Sequence, residues 1–351
     1  MTKGYPCVTL GNMTPVNAFC AIVPPYVLDR LAQQGHAAAL RSLAIDAVHR
    51  EARLVPGPPA PGPARPQRVI HDARHSERLP GRTVRTEGGA PVADPSVNHA
   101  YDGLGATYAL FSEVYGRPSI DGAGLRLNAT VHYGLHYDNA FWDGQQMVFG
   151  DGDGIVFGDF TTCVDVIGHE LSHGVTQFTA GLTYQGQSGA LNESCSDVFG
   201  SLVKQYALRQ SAAEADWLIG SGLLAPGVQG VALRSMRAPG TAYDDERLGK
   251  DPQPAHLRDY VETEGDAGGV HINSGIPNHA FYLLATALGG PAWDRAGQIW
   301  YDTLTGGRLP DDADFTAFAR ATVAAAAARF PDPSVANTVT ASWAGVGVST
   351  T

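Results

Sequence analysis

The sequence is poor in cysteine, with four in 351 residues. Cys7, Cys20, Cys163 and Cys195 are too scattered for a disulfide framework or a paired-cysteine metal site, so a reducing compartment is permitted. Basic charge is also short: the formal net charge is -11 at pH 7. That balance favours solubility and argues against a nucleic-acid partner, which would demand a basic face. No run of about 18 apolar residues is present, so no membrane span and no membrane partner is expected. The opening residues, MTKGYPCVTLGNMTPVNAFCAIVPP, lack the basic start, unbroken apolar stretch and small-residue cleavage site of a secretory signal. The expectation is a cytoplasmic precursor or export by a non-classical route. No repeat of fixed period is visible.

What is present is an ordinary globular composition, 44% hydrophobic and 17% charged, in a chain long enough for two lobes and an accessory segment. The run PGPPAPGPARP, Pro56 to Pro66, can neither continue a helix nor pair centrally in a sheet, and reads as a linker. Before it, apolar residues at Val27, Leu28, Leu31, Leu40, Leu43, Ala44 and Val48 predict two short helices around Gly35. After it, RVIHDARHSERLPGRTVRTEG breaks at Pro80-Gly81 like a hairpin. DPSVNHAYDGLGATYALFSEVYGR then starts as a helix. LRLNATVHYG and QQMVFGDGDGIVF alternate as strands, with a Gly-Asp turn expected between Phe149 and Ile155. From Thr161 the period becomes helical, with helices predicted over Val164–Ala180, Ala190–Tyr206, Ser274–Leu288, Trp293–Thr305 and Phe315–Phe330.

The stretch VIGHELSHGVTQFTAG, Val166 to Gly181, carries the chemistry. Residues four apart share a helix face, so His169 and His173 can aim two imidazoles at one point, which is metal-ligand geometry. Glu170, about 100 degrees round the helix, stands near enough to contact a water at that metal without ligating it. A catalytic zinc site needs a third protein ligand and an open position, and GALNESCSD offers Glu193 early in the next helix.

These motifs resemble those of the thermolysin family of zinc metallopeptidases, most closely its protealysin-like branch. The likeness runs from Thr86 to the C-terminus and is carried by GHELSHGVTQFTAGLTYQGQSGALNESCSDVFG, DNAFWDGQQMVFGDGDG and DAGGVHINSGIPNHAFYLL. It implies an α+β fold: a β-rich N-terminal lobe, a mainly helical C-terminal lobe and one zinc ion in the cleft between them. It implies His169, His173 and Glu193 as zinc ligands, Glu170 as the base that takes a proton from water, and Tyr184 and His271 as donors to the oxyanion. Asp266 resembles the carboxylate that orients His271, and Asp197 the one that orients His169; the alternative for Asp197 is a plain helix-surface charge. Asn139, the Ala140 carbonyl and Arg234 would hold a protein or peptide substrate as an added strand. Phe157, Phe160, Val166 and Leu233 fall where the family builds the pocket after the scissile bond, though each taken alone reads first as an ordinary core residue. Together they predict a bulky apolar residue there.

Two departures matter. Lys204, Leu218 and Ser221 stand where the family's double calcium site has glutamates, with Asp165 and Asp216 retained, and Ala225 and Val231 replace further oxygen donors. An ammonium in a divalent-cation cage repels the ion and can pair with Asp165 or Asp216 instead, so that calcium site is expected to be lost, while calcium elsewhere stays open. The segment before the linker resembles the short protealysin propeptide through VPPYVLDRLA. Residues 1–60 are therefore expected to be a removable inhibitory segment, with linker to about 67, followed by lobes 68–182 and 183–351. Pro24 and Pro25, before Tyr26, stiffen an extended chain suited to lying in a cleft uncut. Cys20 either supplies a thiolate to zinc or is a buried small hydrophobe; Cys195 reads as packing. The resemblance implies a zinc endopeptidase made as a precursor. The alternatives are a catalytically silent peptidase scaffold that binds proteins, and a non-peptidase zinc hydrolase.

Overall fold

The computed structural model describes residues 20–52 and 62–351. Cys7 and the linker residues Pro56 to Pro61 lie outside them. The N-terminal segment contributes a short strand, β1 (Cys20–Ala21), and two helices, α1 (Pro25–Gln33) and α2 (Ala37–Ala52). Between the helices the chain turns at Gly35, whose φ of +87° is open to glycine at little cost. Val27, Leu28 and Leu31 form the buried stripe of α1. Each contributes about 1.5–3 kcal/mol towards docking the segment on the rest of the chain.

The following lobe is built on a mixed sheet. The predicted hairpin is present as β2 (Arg68–Asp72) and β3 (Arg82–Thr86), with a bulge between Ile70 and His71. β4 (Leu127–Val131) runs parallel to β2, β6 (Met147–Phe149) parallel to β4, and β5 (Ala140–Trp142) antiparallel to β6. The six-stranded order is β1-β5-β6-β4-β2-β3, so the N-terminal segment supplies the edge strand beside β5. The expected turn between Phe149 and Ile155 does not join two strands. β6 ends at Phe149, and the chain beyond folds around Asp153, whose Oδ1 accepts the amides of Ile155 and Val156 at 2.8 Å each. A carboxylate that collects successive local amides outcompetes a ladder. The true partner of β6 precedes it, joined through Asp143, which accepts from Gln145 and Gln146.

α3 (Pro95–Ala109) starts as predicted: Asp94 caps it by accepting from Ser96 N, and Pro95 takes the first helical position. α4 (Val164–Gln177) is buried throughout Asp165 to Thr176 and packs on α5 (Gly186–Leu208), which begins earlier than predicted. The two helices approach at Gly168 and Gly200. A Cβ on Gly200 would stand 2.5 Å from Asp165 O and 2.9 Å from His169 N. Glycine there lets the histidine-bearing helix and its acidic partner touch backbone to backbone. α6 (Asp266–Asn273), α7 (Gly275–Leu288), α8 (Arg295–Thr305) and α9 (Phe315–Arg329) follow, together with α10 (Pro333–Gly345), which the periodicity left unassigned. The fold is the α+β arrangement expected, a β-rich lobe followed by a helical one. α4 and α5 pack against each other and carry His169, His173 and Glu193.

Candidate active site

His169 and His173 lie on one face of α4, 0% and 4% exposed, with their Nε2 atoms 3.0 Å apart. Glu193 of α5 reaches the same point: Oε2 is 3.5 Å from His169 Nε2 and Oε1 is 3.6 Å from His173 Nε2. The far side of each ring is already held. His169 Nδ1 lies 2.8 Å from Asp197 Oδ1, and His173 Nδ1 lies 2.9 Å from Asn192 Oδ1 and 3.1 Å from Ser196 Oγ. Such partners fix each ring's tautomer and turn Nε2 inward. Cys20 completes the cluster, its Sγ 2.7 Å from both His173 Nε2 and Glu193 Oε1. Ligand atoms of all four residues fall within 4.8 Å of one another. Cys20 also packs in a small apolar cluster with Tyr184 and Val270.

Around the cluster stand the groups expected to act on a substrate. Glu170 Oε2 accepts the Trp142 amide at 3.1 Å, while the buried Oε1 has no hydrogen-bond partner among the described residues. Tyr184 OH donates to Glu193 Oε1 and lies 3.3 Å from His271 Nε2. Asp266 grips His271 twice, with Oδ1 2.6 Å from Nδ1 and Oδ2 accepting the backbone N–H at 2.9 Å. That grip depends on backbone: Asp266, Ala267, Gly268 and Gly269 all have positive φ, 52°, 48°, 83° and 75°. A left-handed turn therefore delivers His271 into the cleft, with two non-glycine residues held in a sparsely populated region.

The segment beginning at β1 fills the cleft next to these groups. Ile22 N donates to Ala140 O at 3.1 Å, and Val23 N donates to Asn139 Oδ1 at 2.9 Å. Asn139 Nδ2 returns a bond to Val23 O at 3.2 Å, and Arg234 Nη1 donates to Ile22 O at 3.0 Å. All three residues expected to hold substrate backbone thus hold this chain's own strand. Ile22 is fully buried in the apolar cluster that includes Phe157, Phe160, Val166 and Leu233. Pro24 and Pro25 are placed differently from the expectation. β1 ends at Ala21, the backbone contacts to the cleft continue to Val23, and the prolines then start α1, Pro24 extended at the cap and Pro25 the first helical residue; a missing N–H and a fixed φ suit that position. Tyr26 is not in the cleft strand but bonds to Tyr243 nearby.

Residues 74–177 match the family model of the thermolysin metallopeptidase catalytic domain, and residues 180–348 match that of its alpha-helical domain. The chain belongs to the thermolysin family of metallopeptidases. It is 53% identical over 335 residues to an extracellular metalloprotease of Pectobacterium carotovorum subsp. carotovorum, covering 94% of this chain and 96% of that one. A thermolysin of Bacillus caldolyticus is 40% identical over 288 residues, which are 79% of this chain and 50% of that longer one. Among solved structures, the precursor of protealysin, a metalloproteinase from Serratia proteamaculans, is similar with a TM-score of 0.87 and 54% identity over 94% of this chain and 100% of that one. As a member of this family the chain is a zinc-dependent endopeptidase made as a precursor.

The thermolysin-family donor set fits zinc: two imidazoles and a carboxylate suit a borderline cation. The buried Glu193 Oε2 has no hydrogen-bond partner among the described residues, and a shared cation would satisfy it. Burial opposes the charge on Glu193, yet His271, His173 and His169 bring it down to about 2, so it is an anionic ligand. Burial and the charge of Glu193 push Glu170 well above the usual carboxylate range. Burial followed by Glu193 does the same to the Cys20 thiol, an effect that a divalent cation reverses. Burial disfavours a charged His271, but Asp266 and Glu193 raise it to about 9.

Asn192, Ser196 and Asn278, whose Nδ2 donates to Asp197 Oδ2 at 2.8 Å, were missed by sequence reasoning. Asn192 and Ser196 were legible as an i, i+4 pair one step before Glu193 and Asp197. Asn278 carried no local signal. Where the family's double calcium site is expected to be lost, Lys204 Nζ lies 3.3 Å from Asp165 Oδ2 and 2.7 Å from Asp216 Oδ2, and donates to Leu218 O at 3.4 Å. Cys195 is buried, as packing requires.

Proposed function

We propose that the enzyme cuts peptide chains before a bulky apolar residue and that residues 20–52 hold it latent by lying in the substrate's track. The observation that carries this reading is the register of Ile22 and Val23 on Ala140, Asn139 and Arg234. Ile22 takes the place of the residue after the cut, Val23 the next. Bound zinc would supply a Lewis acid that brings water's pKa towards neutrality and polarises a carbonyl. His169, His173 and Glu193 would hold it, with Asp197 orienting His169. Glu170 takes the proton from the attacking water at Oε1 and passes it to the leaving nitrogen. Tyr184 OH and His271 Nε2 donate to the oxyanion, and Asp266 keeps His271 charged for that task. Asn139, Ala140 and Arg234 align the backbone, while Phe157, Phe160, Val166 and Leu233 take the apolar side chain.

In the precursor, Cys20 Sγ would serve as a further ligand to an ion held by His169, His173 and Glu193, and would keep the attacking water out. Pro24, Pro25 and Tyr26 lead the chain out of the cleft and anchor it. One zinc ion serves the site. The double calcium site is replaced by Lys204. Extracellular metalloproteases among the relatives favour action outside the cell, after export of the precursor. A silent scaffold would have no use for Glu170, Tyr184 and His271 together.

Expression of the full chain beside Glu170→Gln, with the N-terminus followed by mass spectrometry, tests the reading. Processing near the proline linker in wild type alone supports it. Equal processing of both proteins would show that the maturing protease is another enzyme. Cleavage-site profiling that gives a charged preference after the cut would remove the pocket assignment.

A further inference from the structure

Asp46 of α2 is a buried carboxylate, 2% exposed, held by two donors that belong to the catalytic lobe. Its Oδ1 accepts from Tyr137 OH at 2.5 Å and its Oδ2 accepts from Asn139 Nδ2 at 3.1 Å. The acceptor leaves with the inhibitory segment, whereas both donors stay. Tyr137 is fixed independently of Asp46, edge-on to Tyr133 and Phe141 at 5.7 and 6.1 Å between ring centroids. Asn139 Oδ1 also accepts the adjacent Ala140 N at 3.0 Å, which holds the carboxamide with Nδ2 facing the Asp46 position. Loss of Asp46 leaves a phenol and an amide hydrogen facing the cleft, and donors held out of bulk water favour an anionic acceptor.

The place of this pair relative to a substrate follows from Asn139 itself. Its Nδ2 serves Val23 O at 3.2 Å as well as Asp46, so the vacated carboxylate position adjoins the second residue after the cut. Val23 and Asp46 line one cavity of about 360 Å³ with Tyr184, Ala267 and His271. That cavity gives a side chain longer than valine room to extend towards the Asp46 position. Burial raises Asp46 to about 6, with the Tyr137 and Asn139 hydrogen bonds opposing, so the group held at neutral pH is the anion.

We propose that Tyr137 OH and Asn139 Nδ2 form a carboxylate subsite of the processed enzyme, which Asp46 occupies in the precursor. The inference rests on the register given under Proposed function. The subsite takes a substrate carboxylate, from an Asp or Glu side chain two residues after the cut or from a chain that ends there.

The test uses enzyme processed from the full-length chain and quenched peptides that differ only at the second residue after an apolar one. Glu, Gln and Val peptides continue beyond that residue; two further Val peptides end at it, one as free acid and one as amide. A side-chain source gives kcat/KM about tenfold higher for Glu than for Gln; a C-terminal source gives the same ratio of free acid to amide. Tyr137→Phe is expected to bring the favoured ratio close to one. Should that variant fail to fold, the wild-type ratios decide, since they need no substitution. Cleavage of the Val peptides with no advantage of Glu over Gln or of acid over amide overturns the subsite alone, as does a ratio that survives Tyr137→Phe. Failure to cut the Val peptides before the apolar residue overturns the register and the subsite with it.

Discussion

Lys204→Met separates two ways of stabilising the same corner of the fold, by a resident ammonium or by an exchangeable ion. Asp165 is 1% exposed and its Oδ2 meets Lys204 Nζ at 3.3 Å. Removing one partner of a buried pair costs about 3–5 kcal/mol because the other charge is left unpaired. Two amides soften this: Val166 N donates to Asp165 Oδ1 and Gly220 N to Oδ2, each at 3.1 Å. The second bridge adds little, since the Asp216 side chain is 42% exposed. The net expectation is about 2–3 kcal/mol, or a Tm lower by about 4–8 °C for a large single unfolding unit. Burial already raises the Asp165 pKa above its ordinary value, with Lys204 opposing. A carboxylate whose folded pKa is raised destabilises the fold at high pH and ceases to do so once protonated. Loss of the ammonium raises that pKa further. The deficit of the variant is therefore largest at neutral pH and shrinks in acid. Thermal scans in a Glu170→Gln background, which prevents self-digestion, measure it at two pH values with and without a calcium-selective chelator. A variant within 0.5 kcal/mol of the parent, or a parent whose Tm collapses on calcium removal, would refute the substitution of lysine for calcium.

Cys20→Ser in the full-length chain is expected to mature faster than wild type and, with Glu170→Gln, to yield zinc to a chelator more quickly; unchanged rates in both assays return Cys20 to simple packing. Asp266→Asn removes the negative charge and leaves one acceptor for the two contacts to His271, and kcat should fall by about 10–100-fold. In wild type His271 stays charged until pH rises through about 9, so in the variant the alkaline limb of the kcat profile moves to lower pH, and an unmoved limb would deny Asp266 its role. His132 bridges Asp151 and Asp94 at 2.8 Å each, and Asp151 with Asp94 raises it to about 9 against the effect of burial. Its contribution is complete below the unfolded value near 6.5 and disappears as pH rises through 9. Denaturant titration of His132→Gln should show a deficit of about 1–2 kcal/mol at pH 6 that closes by pH 10, after discount for the exposed carboxylates; a gap constant with pH would contradict the bridge.

The legible parts of this fold were those specified by local spacing. His169 and His173 announce their shared face through i, i+4, and Glu193 with Asp197 do so one helix later. α3 was readable from Asp94 and Pro95, an N-cap followed by a first-turn proline. The same signal stands at Asp332 and Pro333, where Asp332 accepts from Ser334 N, but the alanine-rich run before it drew the helix prediction to a stop at Phe330. The illegible parts were tertiary. Trp142 N reaches Glu170 because β5 passes beside α4, and no side-chain pattern encodes a backbone donor. The strand after Phe149 was misread because Gly-Asp punctuation marks both hairpin turns and carboxylate-centred loops, and only the partner strand decides between them. Cys20 was ambiguous for a similar reason: a thiol 153 residues from His173 declares its partner only when the sheet adds β1 at its edge.

One carboxylate ties the metal centre to the substrate track. Asp197 Oδ1 stands 2.8 Å from His169 Nδ1 and also accepts Arg234 Nη2 at 2.8 Å, while Oδ2 accepts Arg234 Nε at 2.8 Å. The same guanidinium extends Nη1 to Ile22 O at 3.0 Å. A fork that is bidentate on one side has little rotational freedom left on the other. The Ile22 carbonyl is thus positioned from the same group that orients a metal-facing imidazole, with Asn278 holding the remaining lone pair of that carboxylate. Burial opposes ionisation of Asp197, but Arg234 and His169 hold its pKa far below the ordinary range, so the anchor stays charged. The latent form borrows this rigidity. Its cleft segment binds through Ile22 O to a guanidinium already fixed by Asp197, so on the proposed register a substrate would meet the same fixed donor.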